Sequence, residues 1–405
     1  MPIENPTLNQ PVCSTAAFGR IFYGVNNFVY YSQVLVVPRG AGFCYQINDP
    51  TSDDNPDLIA TDGGRIEIDE AVNIFRIFPY RGGILVFAQN GVWYVFGPDG
   101  GFTASNFNVS KISERVLDNV DGIVQAESYV YFLSTTGIHV LAATELNFIE
   151  VNDISETTVR SWYLDNLQGK KATVEYRGKE KQIWFVSTTD DNILVMDLRL
   201  NAFYPQQNSG SKQIQRGLGV GDESFVFPNS SHDGETCSYN FATDTSEDFK
   251  DFGVDQTAYL VSAYETLGKF AHKKAITYAD VYFNKTETTI TGFDSDNQVY
   301  LYDTPSSCLF QARWEWDNSN AYSKWVGRTT NDSGSGKKME LYNPMRRGFV
   351  PDAFPWTMDT GESIIHKKIK VRGNGRAVQF RFEAQAEKDM QILGYNVNYS
   401  IKGRM

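Results

Sequence analysis

The side chains able to do chemistry are few and far apart. His139, His232, His272 and His366 fall in no HxxxH or HExxH pattern, and Cys13, Cys44, Cys237 and Cys308 form no CxxC pair. A zinc site needs several such ligands at short spacing, so the sequence predicts no metal, and no other cofactor. Four scattered cysteines in 405 residues make no disulfide framework. They read as small core residues in a reducing compartment. Ser333-Gly334-Ser335-Gly336-Lys337 has Asn331 where a GxxxxGK phosphate loop needs its first glycine. Asp294-Ser295-Asp296-Asn297 lacks the loop glycine and distal glutamate of a calcium loop and reads as a turn. Glu315 and Asp317 lie too close on one strand face to divide acid and base roles. No GxSxG elbow or activated cysteine occurs. The expectation is a protein that is not an enzyme, with a glycan depolymerase built from strand-end carboxylates as a minor third reading.

One charged cluster does stand out. Lys367, Lys368, Lys370, Arg372 and Arg376 open a C-terminal segment in which nine basic residues face three acidic ones. They are the candidate contact for an acidic partner or for a neighbouring subunit, including the acidic first half of another copy. The competing reading is a solvated sheet face, whose long basic side chains block stray strand pairing.

The elements that must position these residues are strands. Aromatic residues make up 14% of the chain (Trp 7, Tyr 22, Phe 27), with 33 glycines among them. That is the composition of strands and tight turns. Paired aromatic and β-branched runs recur at Arg20 to Tyr31, Gly83 to Phe96, Tyr129 to Leu141 and Gln182 to Asp197, with a weaker copy from Ser224 to Phe241. Asn90-Gly91 predicts a type I′ hairpin turn. From the second copy on, a spacing of about 40 to 55 residues is that of radially repeated blades. Ser231-His232-Asp233-Gly234 departs from the SxDxGxTW box of sialidase propellers. The single helix expected is a short one capped by Ser155 and ending near Asn166.

Beyond about residue 252 the strands alternate strictly, as in Val378 to Glu383 and Tyr395 to Ile401, which indicates one packed face. The predicted fold is all-β, a β-propeller-like domain of repeated hairpins plus a C-terminal β-sandwich-like domain. Its boundaries are an extended N-terminal arm at 1–17, the propeller-like domain at 18–250 and the sandwich-like domain at 251–405.

Charge supports that division. Residues 1–250 hold 17 basic and 31 acidic side chains, and residues 251–405 hold 20 and 18. The net −12 argues against a basic groove that grips nucleic acid. No run approaches the roughly 18 apolar residues of a membrane span, so no stable membrane insertion is expected. Met1 to Val12, with three prolines and no basic residue, reads as neither a secretory signal nor a transit peptide.

The order of several segments is familiar. Glu67-Ile68 precedes the hairpin Leu85-Val86-Phe87-Ala88-Gln89-Asn90-Gly91-Val92-Trp93, and Gly101-Phe102-Thr103-Ala104-Ser105-Asn106-Phe107-Asn108-Val109-Ser110-Lys111-Ile112-Ser113 follows. Pro305 to Trp316, Arg372-Gly373-Asn374-Gly375-Arg376-Ala377-Val378-Gln379-Phe380-Arg381-Phe382-Glu383 and Lys388 to Tyr395 complete the set. In this order, from about Phe18 to the C-terminus, the chain resembles the tail nozzle (tail tubular protein B, or tail stabilisation) family of short-tailed bacteriophages. The resemblance implies a structural virion protein in the viral tail, assembled in the host cytoplasm. It implies a homohexameric tube that closes the portal-tail channel after packaging and conducts the genome during ejection. The implied partners are copies of itself, the tail adaptor or head-tail connector ring, tail fibres or tail tip proteins, and genomic DNA passing transiently through the lumen. An acidic lumen would repel that DNA. The alternative is a receptor- or glycan-binding propeller, an adhesin of a phage tail.

Overall fold

The computed structural model describes residues 10–36, 38–46, 59–97, 101–143, 149–207, 215–216, 225–228, 236–239, 250–251, 254–255, 258–268, 270–284, 288–293, 299–304, 306–315, 337–341, 364–371, 373–385 and 390–402. The chain divides into two compact units, Met1–Phe241 and Ala242–Met405.

The first unit is a succession of antiparallel sheets. Strands β1 (Cys13–Ala17), β2 (Arg20–Val25), β3 (Phe28–Tyr31) and β4 (Gly64–Glu67) form the first. The second is β5 (Ile74–Tyr80), β6 (Gly83–Ala88), β7 (Gly91–Phe96) and β8 (Asn108–Ser113). The third is β9 (Ile123–Ala126), β10 (Tyr129–Ser134), β11 (Gly137–Ala143) and β12 (Ile149–Asp153). Helix α1 (Arg160–Asn166) leads to the fourth, β13 (Thr173–Arg177), β14 (Gln182–Val186), β15 (Asn192–Asp197) and β16 (Ala202–Gln207). A three-stranded sheet of β17 (Gln215–Arg216), β18 (Phe225–Pro228) and β19 (Thr236–Tyr239) follows.

Each inner sheet is buried on both faces. Along β6, Ile84, Val86 and Ala88 join the core shared with the first sheet, while Leu85 and Phe87 join the core shared with the third. Phe87 meets Phe132 edge-on at 5.6 Å. On the third sheet Val130 and Phe132 face backward, and Tyr131 and Leu133 face forward onto the fourth. Continuous apolar runs such as Gly83 to Ala88 are what two-sided burial demands. This is blade-on-blade stacking, and the unit is propeller-like.

Three local expectations are corrected. Cys13–Ala17 is no free arm: β1 pairs along its whole length with β2. The hairpin of the second sheet turns at Gln89-Asn90, because Ala88 pairs with Gly91. Asn90 earns its place otherwise, by clamping the inter-blade connection: its Oδ1 accepts the Val72 N–H at 2.9 Å and its Nδ2 donates to the Glu70 carbonyl at 2.6 Å. Gly91 has φ +149°, and a Cβ there would collide with the Ser113 carbonyl. Helix α1 starts at Arg160 without a side-chain cap. Ser155 Oγ instead accepts the Ile138 N–H at 3.1 Å, tying the end of β12 to the β10–β11 turn.

In the second unit β20 (Lys250–Asp251) and β21 (Val254–Asp255) form a hairpin, followed by β22 (Tyr259–Val261) and β23 (Lys274–Asn284). A second hairpin, β24 (Thr288–Phe293) and β25 (Val299–Thr304), precedes β26 (Ser306–Trp314) and β27 (Lys337–Leu341). Then come β28 (Ile364–Lys370), β29 (Asn374–Gly375), β30 (Val378–Ala384) and β31 (Gln391–Ile401). One sheet has the order β22-β30-β26-β27; in the other, β23 carries β28 and β29 on one side and β31 on its opposite side. Val281, Phe283, Ile365 and Ile369 pack onto Cys308, Phe310, Phe380 and Phe382 between them. The unit is a β-sandwich, and the whole chain is all-β.

Candidate interaction surface

The basic cluster predicted from sequence is split by the pleat of β28. Its residues alternate, with Ile365 and Ile369 buried and Ile364, His366, Lys368 and Lys370 exposed. Lys368 and Lys370 therefore share the outer face, and the Lys368 ammonium sits 4.6 Å from the centre of the Tyr278 ring. Lys367 points the other way and is half-buried. Arg376 is exposed beyond β29, its N–H held by Glu315 Oε1 at 3.0 Å and its carbonyl accepting the buried Lys274 ammonium at 3.1 Å. Arg372 lies outside the described residues, as do the Asp294 to Asn297 turn, Ser333 to Gly336 and Ser231 to Gly234.

Around the two exposed lysines the structure assembles groups that no motif announced. Asp280 on β23 accepts from Asn398 Nδ2 on β31 at 2.9 Å through one oxygen, and its other oxygen lies 3.1 Å from His366 Nε2 on β28. His366 stacks on the Tyr282 ring at 4.9 Å. The register explains the meeting, since Tyr282 pairs with His366, and Asp280 pairs with Lys368 on one side and Asn396 on the other. A register shift at Tyr282/Phe283 leaves Leu393 as an extra residue. A shallow groove of about 370 Å³ opens there, lined by Tyr282, Ile364, Leu393, Gly394, Tyr395 and Asn396. Period-two alternation assigned each of these residues a face, but only the pairing brings the three strands together.

Charge also gathers in the first unit. The β2–β3, β6–β7, β10–β11 and β14–β15 turns and the connections between the first four sheets lie at one end of the stack. Hydrogen bonds cross-link them: Gln168 Nε2 to the Thr135 carbonyl, Gly169 N–H to Asp118, and Lys170 to Asp190 at 2.8 Å. Those turns and connections together carry nine acidic and four basic residues.

A serine–histidine–aspartate constellation lies below that end. His139 Nε2 is 3.1 Å from Ser134 Oγ, and its Nδ1 is 3.9 Å from Asp153 Oδ1. Asp153 also accepts Ser155 Oγ at 2.7 Å, and the Tyr163 hydroxyl donates to the Ser134 carbonyl at 2.6 Å. Ser134 is wholly buried and His139 is 1% exposed, so the group staples the β10–β11 turn and presents no nucleophile to solvent. Burial pushes the His139 pKa down, against the opposing pull of Asp153. Among the described residues no three His, Cys, Asp or Glu side chains converge as a metal site. Burial pushes the Cys44 thiol up to about 11 and the Cys308 thiol up to about 12, the environment of unreactive cysteines.

No family model matches the chain, and no curated protein matches it. Solved structures do. Dihydro-heme d1 dehydrogenase NirN is 10% identical with a TM-score of 0.31, over 70% of this chain and 52% of that one. This chain thus spans about half of that protein. A GH43 glycoside hydrolase with an engineered active site is 10% identical with a TM-score of 0.27, covering 97% and 99% of the two chains. Another glycoside hydrolase is 12% identical with a TM-score of 0.23, covering 95% and 83%. These findings correct one expectation. All three of these neighbours are enzymes, so the reading of this protein as a non-enzyme is withdrawn. Likenesses this low assign it no particular activity.

Proposed function

We propose that the chain is a self-assembling subunit of a short-tailed phage tail nozzle, a homohexameric tube between the adaptor ring and the distal tail. In this role it closes the channel after packaging and passes the genome during ejection. One observation carries the reading. Two of the three C-terminal segments of the resemblance, distant in sequence, pair as the central strands β26 and β30, from Cys308↔Ala384 to Trp314↔Val378. Gly373 and Gly375 then lie directly against the Trp314 ring. The motifs are the spine of the sandwich, which is where a family of structural proteins would keep them. The acidic end of the blade stack adds support, because a surface of that sign repels passing DNA.

Light scattering and negative-stain imaging of the full chain, alone and with portal–adaptor complexes, test the proposal. A six-fold ring on the adaptor is the expected result. A monomer under both conditions would rule it out. The second reading, a glycan-binding adhesin, is favoured by the groove beside the Tyr282 ring, since sugar rings stack on exposed aromatic faces. Titration with host surface polysaccharide, monitored by calorimetry, separates it from the first.

A further inference from the structure

Among the described residues the two sheets of the sandwich have four edge strands, and they fall on two sides of very different character. β31 lies over β30: the Tyr395 ring is 5.5 Å from those of Phe380 and Phe382, and its hydroxyl bonds the Glu265 carboxylate. Glu265 in turn bridges to Val378 just beyond β22. At the opposite side β27 runs beside β28. Hence β22 and β31 edge one side, and β27 and β28 edge the other.

The second side is charged. β27 reads Lys-Lys-Met-Glu-Leu, and β28 holds His366, Lys367, Lys368 and Lys370 in seven residues. Neither edge strand of the first side carries a charged residue. β22 is Tyr-Leu-Val, and β31 is eleven residues, QILGYNVNYSI, without a charged residue or a proline. All three side chains of β22 are exposed, Tyr259 at 60%, and Leu393, Tyr399 and Ile401 of β31 are exposed as well. Among the described residues β31 pairs with β23 alone.

A long, uncharged edge strand presents a ladder of N–H and C=O groups ready for another strand, and proteins ordinarily blunt such edges with lysine or proline. This sandwich does so at β28, and among the described residues no strand covers the outer edge of β31. We propose that β31 is a docking edge for a second copy of this chain, whose β28 adds to it and continues the sheet from subunit to subunit.

This inference rests on the self-assembly reading, and sequence and register favour β28 as the donor. β28 and β31 are both antiparallel to β23, so they run parallel to each other. A copy rotated about an axis along the strands therefore presents β28 parallel to β31, the head-to-tail contact that closes into rings. Four basic residues discourage β28 from pairing with another β28, yet nothing on uncharged β31 repels them. The exposed Asn396 and Ser400 supply oxygen acceptors for the incoming Lys368 and Lys370.

The test is sedimentation of the full chain and of two variants over a range of concentrations. Asn396→Lys with Ser400→Lys places like charge on the docking edge at exposed positions, and circular dichroism melting checks that the fold is retained. Association should weaken at least tenfold. Adding Lys368→Glu and Lys370→Glu to the same chain should restore it, because the repulsion becomes attraction. Unchanged association in the first variant, no rescue in the second, or a closed dimer indifferent to the β28 charges would each overturn the inference while leaving the nozzle reading intact. A wild-type chain that stays monomeric with and without adaptor rings overturns both.

Discussion

His139 is held neutral by its surroundings, and that has a thermodynamic consequence. Burial lowers its pKa in the folded protein, whereas in the unfolded chain it titrates near the ordinary value of about 6.5. The unfolded state then binds the extra proton first, so the contribution of this residue is fully present above about pH 6.5 and is lost as pH falls. Urea midpoints should drop between pH 7 and pH 5, and His139→Gln should flatten that slope; an unchanged slope would contradict the assignment. Gly373 makes a different demand. Its φ is +110°, and a Cβ would enter the Trp314 indole. Gly373→Ala should cost about 1–3 kcal/mol, measured as a loss of stability of the second unit.

At the scale of elements, the stacked sheets depend on aromatic contacts across their faces. Phe87→Ala removes the ring that meets Phe132 and opens a cavity between two blades, at a cost of about 3–5 kcal/mol in chemical denaturation. Most strands were legible in the sequence, because runs such as Gly83 to Phe96 carry both the apolar pattern of two-sided burial and a turn between them. Turn and cap chemistry was less legible. Asn90 and Ser155 have the residue types of a hairpin turn and a helix cap, but both spend their side chains on hydrogen bonds to neighbouring elements. The interaction surface was half legible. The basic run was visible, yet the face it shares with Asp280, Tyr282 and Asn398 depends on strand pairing between segments more than 80 residues apart in the chain. Period-two patterning specifies a face and never a partner.

For the whole molecule, the charge of −12 and the acidic end of the blade stack predict indifference to nucleic acid. The full chain should not retard duplex DNA in a gel even at about 50 mM salt, where phosphate-neutralising contacts are strongest. Retardation that weakens as salt rises would show a basic surface at work and remove the support that charge lends to a conduit. The two-sided burial of the inner sheets also bears on how the protein is made. While the chain emerges from the ribosome, the second sheet can cover one face of β6 with the sheet before it. The Leu85 and Phe87 face stays bare until the third sheet has been synthesised. A product cut short near residue 100 would therefore keep an apolar, unfinished surface, and such a fragment should aggregate where the full chain stays in solution.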